Sequence, residues 1–242
     1  MQLLTSERRV VAAATELAET LGRSDDHTVA AAAMDVYGAI YTGVNVHHFT
    51  GGPCAELVVL GAAASAGSGP LMTMVAVGDG GRGVIAPCGR CRQVLLDQHP
   101  DVVVVVPAHG GVEAHSVQAL LPFGYHYPDA NAARFIRFNR RYFGDIVTGR
   151  KTATVRWNDP IATGSALLVF EDDEVHGPLA AVVDSVESRR FDELTTADAR
   201  RENGESADDL RAGLRSHYPE IADDSVVQVV GFHLTDSAAR AD

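Results

Sequence analysis

Every cysteine in this chain falls in one of two short motifs, Pro53-Cys54-Ala55-Glu56 and Pro87-Cys88-Gly89-Arg90-Cys91. Three thiolates match the ligand count of a catalytic zinc, which keeps a fourth position for water. Cys-x-x-Cys at the start of a helix puts two ligands on one turn, where the helix N-terminus also favours thiolate. Cys54, expected at another helix start, supplies the third. Glu56 follows it by two residues, near enough to serve the open position without being a ligand. Hydrolysis at an amidine carbon needs an activated water, a proton on the ring nitrogen and a proton on the departing ammonia, and one carboxylate can carry all of them. Three readings stay open beside this one: a structural zinc completed by His47 or His48, three unrelated core cysteines, and iron in place of zinc, which the ligands alone permit. Three thiolates leave a net negative centre, and Arg90, then Arg92, are the candidate compensating cations.

A second candidate lies in Gly149-Arg150-Lys151-Thr152-Ala153-Thr154-Val155-Arg156-Trp157. The chain has twenty basic residues, and Lys151 is the one lysine among them. A desolvated lysine can give up its proton, whereas arginine cannot. Lys151 therefore reads as a base or an activator of a neighbouring hydroxyl, against the plainer reading of a surface lysine. On an ideal strand over 151–156, Lys151 and Thr154 would point to opposite faces. A bulge or a late strand start would bring them together; otherwise Thr152 is the fallback nucleophile. Gly78-Asp79-Gly80-Gly81-Arg82-Gly83 has dinucleotide-loop spacing but precedes a strand rather than a helix, and reads as a turn.

The elements that must position these groups follow from hydrophobic periodicity. The pattern predicts a helix over 6–22 capped by Thr5 or Ser6, strands over 29–34 and 39–46, a helix over 54–66, strands over 71–77 and 84–86, a helix over 89–98 and an all-apolar strand over 102–106. Such alternation is a layered α/β domain. After a polar stretch at 125–133 come a helix near 140–148 ending at Gly149, strands near 152–157, 165–170 and 178–187, charged helices over 196–203 and 206–217, and a strand over 225–234. This half reads as a small barrel with inserted helices. The domains expected are 1–127, a linker over 128–133, a second domain over 134–235 and a tail over 236–242. The net charge of −12 divides evenly about residue 130, so no strong nucleic-acid binding is expected of either half. With no membrane-length apolar run and no signal-like N-terminus, a cytoplasmic location is the expectation.

Thr42-Gly43-Val44-Asn45-Val46 and the run from His48 to Gly61, with Pro87 to Asp97, resemble the cytidine deaminase superfamily, within it the blasticidin S deaminases. The likeness covers about 1–127. It implies an α/β/α sandwich, Zn2+ held by Cys54, Cys88 and Cys91, Glu56 as proton shuttle, a small-molecule nucleoside substrate and a homotetramer. It places Thr28, Arg82 and Tyr125 at substrate contacts and Asn45 on a ribose. His47 departs from the glutamate and the tyrosine found in relatives, and Tyr127 from a tryptophan. Phe138 to Trp157 with Thr196 to Asn203 resembles ASCH domains, and among them the N(4)-acetylcytidine amidohydrolases, over about 134–234. That resemblance implies a PUA-like β-barrel and a catalytic set of Lys151, Thr154 and Glu202, with Arg141 and Asn203 near the pocket. Glu202 also reads as part of a solvated charged helix. The two resemblances together imply a bifunctional hydrolase of cytosine nucleosides. The alternative is an antibiotic-resistance deaminase whose second domain binds RNA or a nucleotide without chemistry.

Overall fold

The computed structural model describes residues 3–22, 24–125, 134–173 and 175–235. It divides into two compact units, Met1–Phe135 with Glu171–Gly177, and Ile136–Phe170 with Pro178–Asp242. The expected linker at 128–133, the tail at 236–242 and Tyr127 lie outside the described residues.

The first unit runs α1 (Thr5–Glu19), β1 (Val29–Asp35), β2 (Ile40–Val44), α2 (Ala55–Ser65), β3 (Leu71–Gly78), β4 (Gly83–Ile85), α3 (Gly89–Gln98), β5 (Val103–Ala108), β6 (Gly111–Ser116) and α4 (Val117–Leu120). The sheet order is β2-β1-β3-β5-β6, with β4 paired to β3. Only the β3–β5 pair is parallel. β1 is apolar over 29–34 because both faces are covered. Ala30, Ala32 and Met34 pack with Val10, Ala14 and Ala18 of α1. Ala31 and Ala33 pack with Val59 and Ala63 of α2 and Leu95 of α3. The result is the expected α/β/α sandwich. Thr5 and Ser6 do not cap α1. Leu4 takes that place, and the Glu7 carboxylate accepts its N–H at 2.8 Å. β6 and α4 were not foreseen: β6 is an edge strand without an apolar run, held by its ladder to β5.

The second unit holds β7 (Phe135–Asn139), a 3-10 turn (Arg140–Tyr142), α5 (Phe143–Val147), β8 (Ala153–Arg156), β9 (Gly164–Glu171), β10 (Leu179–Arg190), α6 (Thr196–Arg201), α7 (Ala207–His217) and β11 (Val226–Leu234). The expected helix at 140–148 is thus a 3-10 turn running into a short α5, and β7 is an addition. The strand order β7-β9-β10-β11-β8 is an open path, curled into a half-barrel rather than closed. An Arg156 guanidinium nitrogen on β8 donates to the Arg137 carbonyl on β7, linking the two ends of the path by a side chain. Ile136, Phe138, Val230 and Phe232 fill the concave face, while Val155, Val227 and Val229 pack with Leu210 and Leu214 of α7 on the other.

Candidate functional site

Cys54 and Cys88 are the N-cap residues of α2 and α3, both with extended backbone (φ −62°, ψ 158° and φ −67°, ψ 166°). The chain reaches Cys54 through Gly52, where a Cβ would collide with the Val46 carbonyl oxygen, so only glycine lets this strand pass. Val46 N–H donates to the Pro53 carbonyl at 3.1 Å and fixes the turn before the ligand. Cys91 sits one helical turn after Cys88 and is fully buried. The sulfurs stand 3.7 Å (Cys54–Cys88) and 3.6 Å (Cys88–Cys91) apart, and all three lie within 4.8 Å of one another. A Zn–S bond of about 2.3 Å requires a tetrahedral S···S edge of about 3.8 Å, so the spacing fits zinc. Neither His47 nor His48 joins the group among the described residues; His48 Nδ1 is instead 2.6 Å from Thr50 Oγ1.

Glu56 occupies the first turn of α2 and is buried. Burial pushes its carboxyl above the ordinary value, while its own backbone amide and the Cys91 thiol act the other way. Burial, then the Glu56 charge, pushes the Cys91 thiol far up. Burial also raises Cys54. At Cys88 burial is outweighed by the Cys91 amide and thiol, the Cys54 thiol and the Arg90 amide, and its thiol is lowered. Arg90 is exposed. Arg92, placed second in the sequence reading, is built into the site: its Nε donates to the Pro87 carbonyl at 2.8 Å and Nη1 to the Leu120 carbonyl at 3.0 Å.

The four substrate-contact candidates are engaged with the backbone. Asn45 Oδ1 accepts from Thr28 N–H at 2.7 Å and Val29 N–H at 2.8 Å, fixing the start of β1. Arg82 pairs with Asp79 at 2.6 Å and donates to the Thr28 carbonyl. The glycine-rich segment that carries Arg82 joins β3 to β4 as a turn. The Tyr125 carbonyl accepts from Gln93 Nε2 at 2.6 Å, and its ring is exposed.

In the second unit Lys151 is 2% exposed, and its Nζ donates to Glu202 Oε2 at 2.6 Å. Burial pushes the amine below its ordinary value, against the opposing Glu202 charge, and Arg156 adds to the lowering. Glu202 is no part of a solvated face, with 15% of its side chain exposed. It is the C-cap of α6. Asn203 follows at φ 64°, its N–H bonded to the Arg200 carbonyl and Gly204 N–H to the Ala199 carbonyl. This Schellman pattern, with asparagine taking the left-handed position usually held by glycine, fixes where Glu202 points. Glu202 Oε1 accepts the Val155 N–H on the free edge of β8. Thr152 N–H donates to the Arg201 carbonyl at 2.8 Å, tying α6 to the start of β8.

The structure therefore brings Lys151 and Glu202 together. β8 begins at Ala153, the late start that frees Lys151 from strand alternation. Thr154 is buried and shares a strand face with Arg156, opposite Val155. Arg156 Cζ and Lys151 Nζ lie 5.3 and 5.8 Å from the Phe138 ring centroid. Thr152 is exposed. Arg141 is exposed and bonded to the Tyr142 hydroxyl at 2.6 Å, and Arg150, with a smaller contribution from Asn203, holds the Asp145 carboxyl below its ordinary value. Tyr142, Phe138 and Arg156 border the amine; all three lie within the stretch from Phe138 to Trp157, but nothing in the sequence assigns any of them a role in the pocket.

Three thiols at zinc spacing on two helix N-termini, with a buried carboxylate beside them under a mixed sheet, define a zinc-binding deaminase centre. Residues 4–106 match the family model of the cytidine and deoxycytidylate deaminase zinc-binding region. The chain is 31% identical over 125 residues to a blasticidin-S deaminase from Bacillus cereus, covering 48% of this chain and 89% of that protein. It is 42% identical over 87 residues to a cytidine deaminase from Mycobacterium tuberculosis, covering 35% of this chain and 56% of the relative. The crystal structure of cytidine deaminase from Mycobacterium tuberculosis aligns at 32% identity and TM-score 0.42, over 50% of this chain and 97% of that one. An ASCH domain from Lactobacillus crispatus aligns at 13% identity and TM-score 0.35, over 42% of this chain and 79% of that one. The chain belongs to the cytidine deaminase family. Among the described residues no helix is long and apolar enough to cross a membrane.

Proposed function

We propose that the protein is a two-site hydrolase of modified cytosine nucleosides: the first unit deaminates a cytosine base, and the second removes the acetyl group of N(4)-acetylcytidine. The observation that carries the reading is the three-sulfur group with Glu56 against Cys91. When bound, zinc supplies the Lewis acidity that makes water a nucleophile near neutral pH. Glu56 accepts the proton of the attacking water, delivers it to the ring nitrogen and passes one on to the exocyclic amine, which leaves as ammonia. Water and a cytosine base thus give a uracil base and ammonia. Cys54 and Cys88 hold the metal from the starts of two helices, and Arg92 holds the loop that presents Cys88.

In the second unit the buried Lys151–Glu202 pair, with Thr154 buried three residues after Lys151, supports amide hydrolysis. The fraction of Lys151 that has released its proton, which burial enlarges, takes the Thr154 proton, Thr154 Oγ1 attacks the acetyl carbonyl, and cytidine departs with a proton delivered by Lys151. Water then cleaves the Thr154 ester to acetate. Glu202 orients the amine and balances its charge. The product of this site is a substrate of the first.

The similarity to a blasticidin-S deaminase over most of that protein's length favours a second reading: antibiotic deamination by the first unit, with the second unit binding a nucleotide or RNA. Chromatography of reactions with cytidine, N(4)-acetylcytidine and blasticidin S separates the two. The leading reading requires acetylcytidine to give uridine, to stop at cytidine in Glu56→Ala and to stay intact in Lys151→Ala. Deamination of blasticidin S with acetylcytidine untouched establishes the second reading instead.

A further inference from the structure

The amine on which the second reaction depends is 2% exposed, and Thr154 is 6% exposed. No amide carbonyl reaches either group in this arrangement, so part of the enclosure has to move. Beside Arg156, which is tied to the Arg137 carbonyl and to Asp159, three side chains border Lys151 Nζ: Phe138 at 5.8 Å and Tyr142 at 4.7 Å from their ring centroids, and Glu202 at 2.6 Å. Phe138 is buried in the half-barrel core, with the Phe232 and Phe170 rings 5.6 and 6.2 Å away. Glu202 is held by the end of α6 and by the Val155 N–H. Tyr142 differs from both. It is half-buried, it ends a three-residue 3-10 turn, and it packs at the margin of the core cluster. Its hydroxyl accepts from Arg141, the exposed residue before it in the same turn, whose guanidinium lies 4.6 Å from the ring. The ring and Arg141 can therefore swing out as one piece without breaking a side-chain hydrogen bond to the sheet or to α6.

We infer that Tyr142 is the access residue of the second site: its ring moves outward to admit an acyl group to Lys151 and Thr154, and its return shuts the amine away from water. The inference rests on the proposed amide hydrolysis for what enters, while the opening itself is measured without it.

Lys151 is the sole lysine, so its acylation by N-acetoxysuccinimide is read on one peptide by mass spectrometry. Rates are taken from pH 7 to pH 10 on the full chain and compared with Nα-acetyl-lysine amide. The midpoint of each profile reports the amine's protonation, and the plateau reports how often the pocket is open. Tyr142→Ala is expected to raise the plateau by about tenfold or more over wild type, because the rate through a local opening follows the open fraction. Tyr142→Phe keeps the ring and is expected to stay within about twofold, and Tyr142→Leu, which shrinks the cover but keeps it apolar, to fall between. Trp157 fluorescence verifies that each variant is folded, and the Leu variant carries the test if Ala does not fold. A plateau unchanged in folded Ala or Leu variants overturns the inference. Hydrolysis of N(4)-acetylcytidine by wild type is scored separately. Acceleration without any hydrolysis keeps the access residue and removes the proposed reaction; hydrolysis without acceleration does the reverse.

Discussion

Replacing Glu202 by Gln leaves the shape of the second site intact and removes one charge. The Val155 N–H keeps an acceptor, but the Lys151 ammonium, 2.6 Å away and 2% exposed, loses its counterion. Two responses compete. Staying charged and unpaired costs about 3–5 kcal/mol. Giving up the proton costs about 1.4 kcal/mol for each pH unit below the unfolded value near 10.4, hence about 4–5 kcal/mol at pH 7 and about 2 kcal/mol at pH 9. The cheaper response sets the loss, so the variant is expected to unfold about 3–5 kcal/mol more easily at pH 7 and about 2 kcal/mol more easily at pH 9. The sign follows from linkage. Burial lowers the folded-state value, so the unfolded chain binds more protons in this window and stability rises with pH. Trp157 is the single tryptophan and its ring lies 5.8 Å from Tyr218 in the second unit, so urea titration by its fluorescence follows that unit. Lys151→Met added to Glu202→Gln is expected to restore most of the loss, since an apolar pair needs no counterion. A loss below about 1 kcal/mol that does not change between pH 7 and pH 9 would refute the reasoning, because Lys151 would then already be neutral beside Glu202.

Glu56→Gln is expected to lower deamination by about a hundredfold to ten-thousandfold while zinc content, measured by atomic absorption, stays at the wild-type level; parallel loss of metal would make Glu56 structural. Cys91→Ser replaces the fully buried sulfur and is expected to empty the site, read as zinc released to a chromophoric chelator at concentrations that leave wild type loaded. Gly52→Ala pushes a Cβ into the Val46 carbonyl oxygen and is expected to displace the Cys54 turn, weakening zinc retention with little change in the second unit's unfolding by Trp157 fluorescence.

Much of the first unit was legible because its signals are local. The two cysteine motifs start α2 and α3, as the sequence indicated, and helix starts supply both the spacing and the backbone amides that thiolates need. Residues 29–34 of β1 and 103–106 of β5 are uninterrupted apolar runs because helices and neighbouring strands cover them. β6 escaped because Gly111-Val112-Glu113-Ala114-His115-Ser116 carries no period of its own, and pairing to β5 alone makes it a strand. β7 escaped for a similar reason, as Arg137 and Asn139 break its apolar pattern. Glu202 looked solvated because its helix is charged in sequence; the left-handed Asn203 and the free edge of β8 turn it inward, and neither is visible in a helical periodicity. The structural part of Arg92 was not legible because a position in a motif says nothing of direction: on α3 it is Arg92 that reaches the Pro87 carbonyl, while Arg90 is exposed.

The end of α6 has a bearing on how the protein ages. Asn203-Gly204 is the dipeptide in which asparagine most readily cyclises, through attack of the following backbone nitrogen on its own side-chain carbonyl, to leave aspartate or isoaspartate. Here the Gly204 nitrogen is committed to the Ala199 carbonyl at 2.7 Å, and the Asn203 backbone is held at φ 64°. The ring closure that would destroy the turn is blocked by the turn. Once the helix end frays that protection is gone, and the new carboxylate arises next to Glu202, where repulsion opposes refolding. Slow gain of a single dalton at Asn203 on storage is thus a clock for opening of the very corner that holds Glu202 against Lys151.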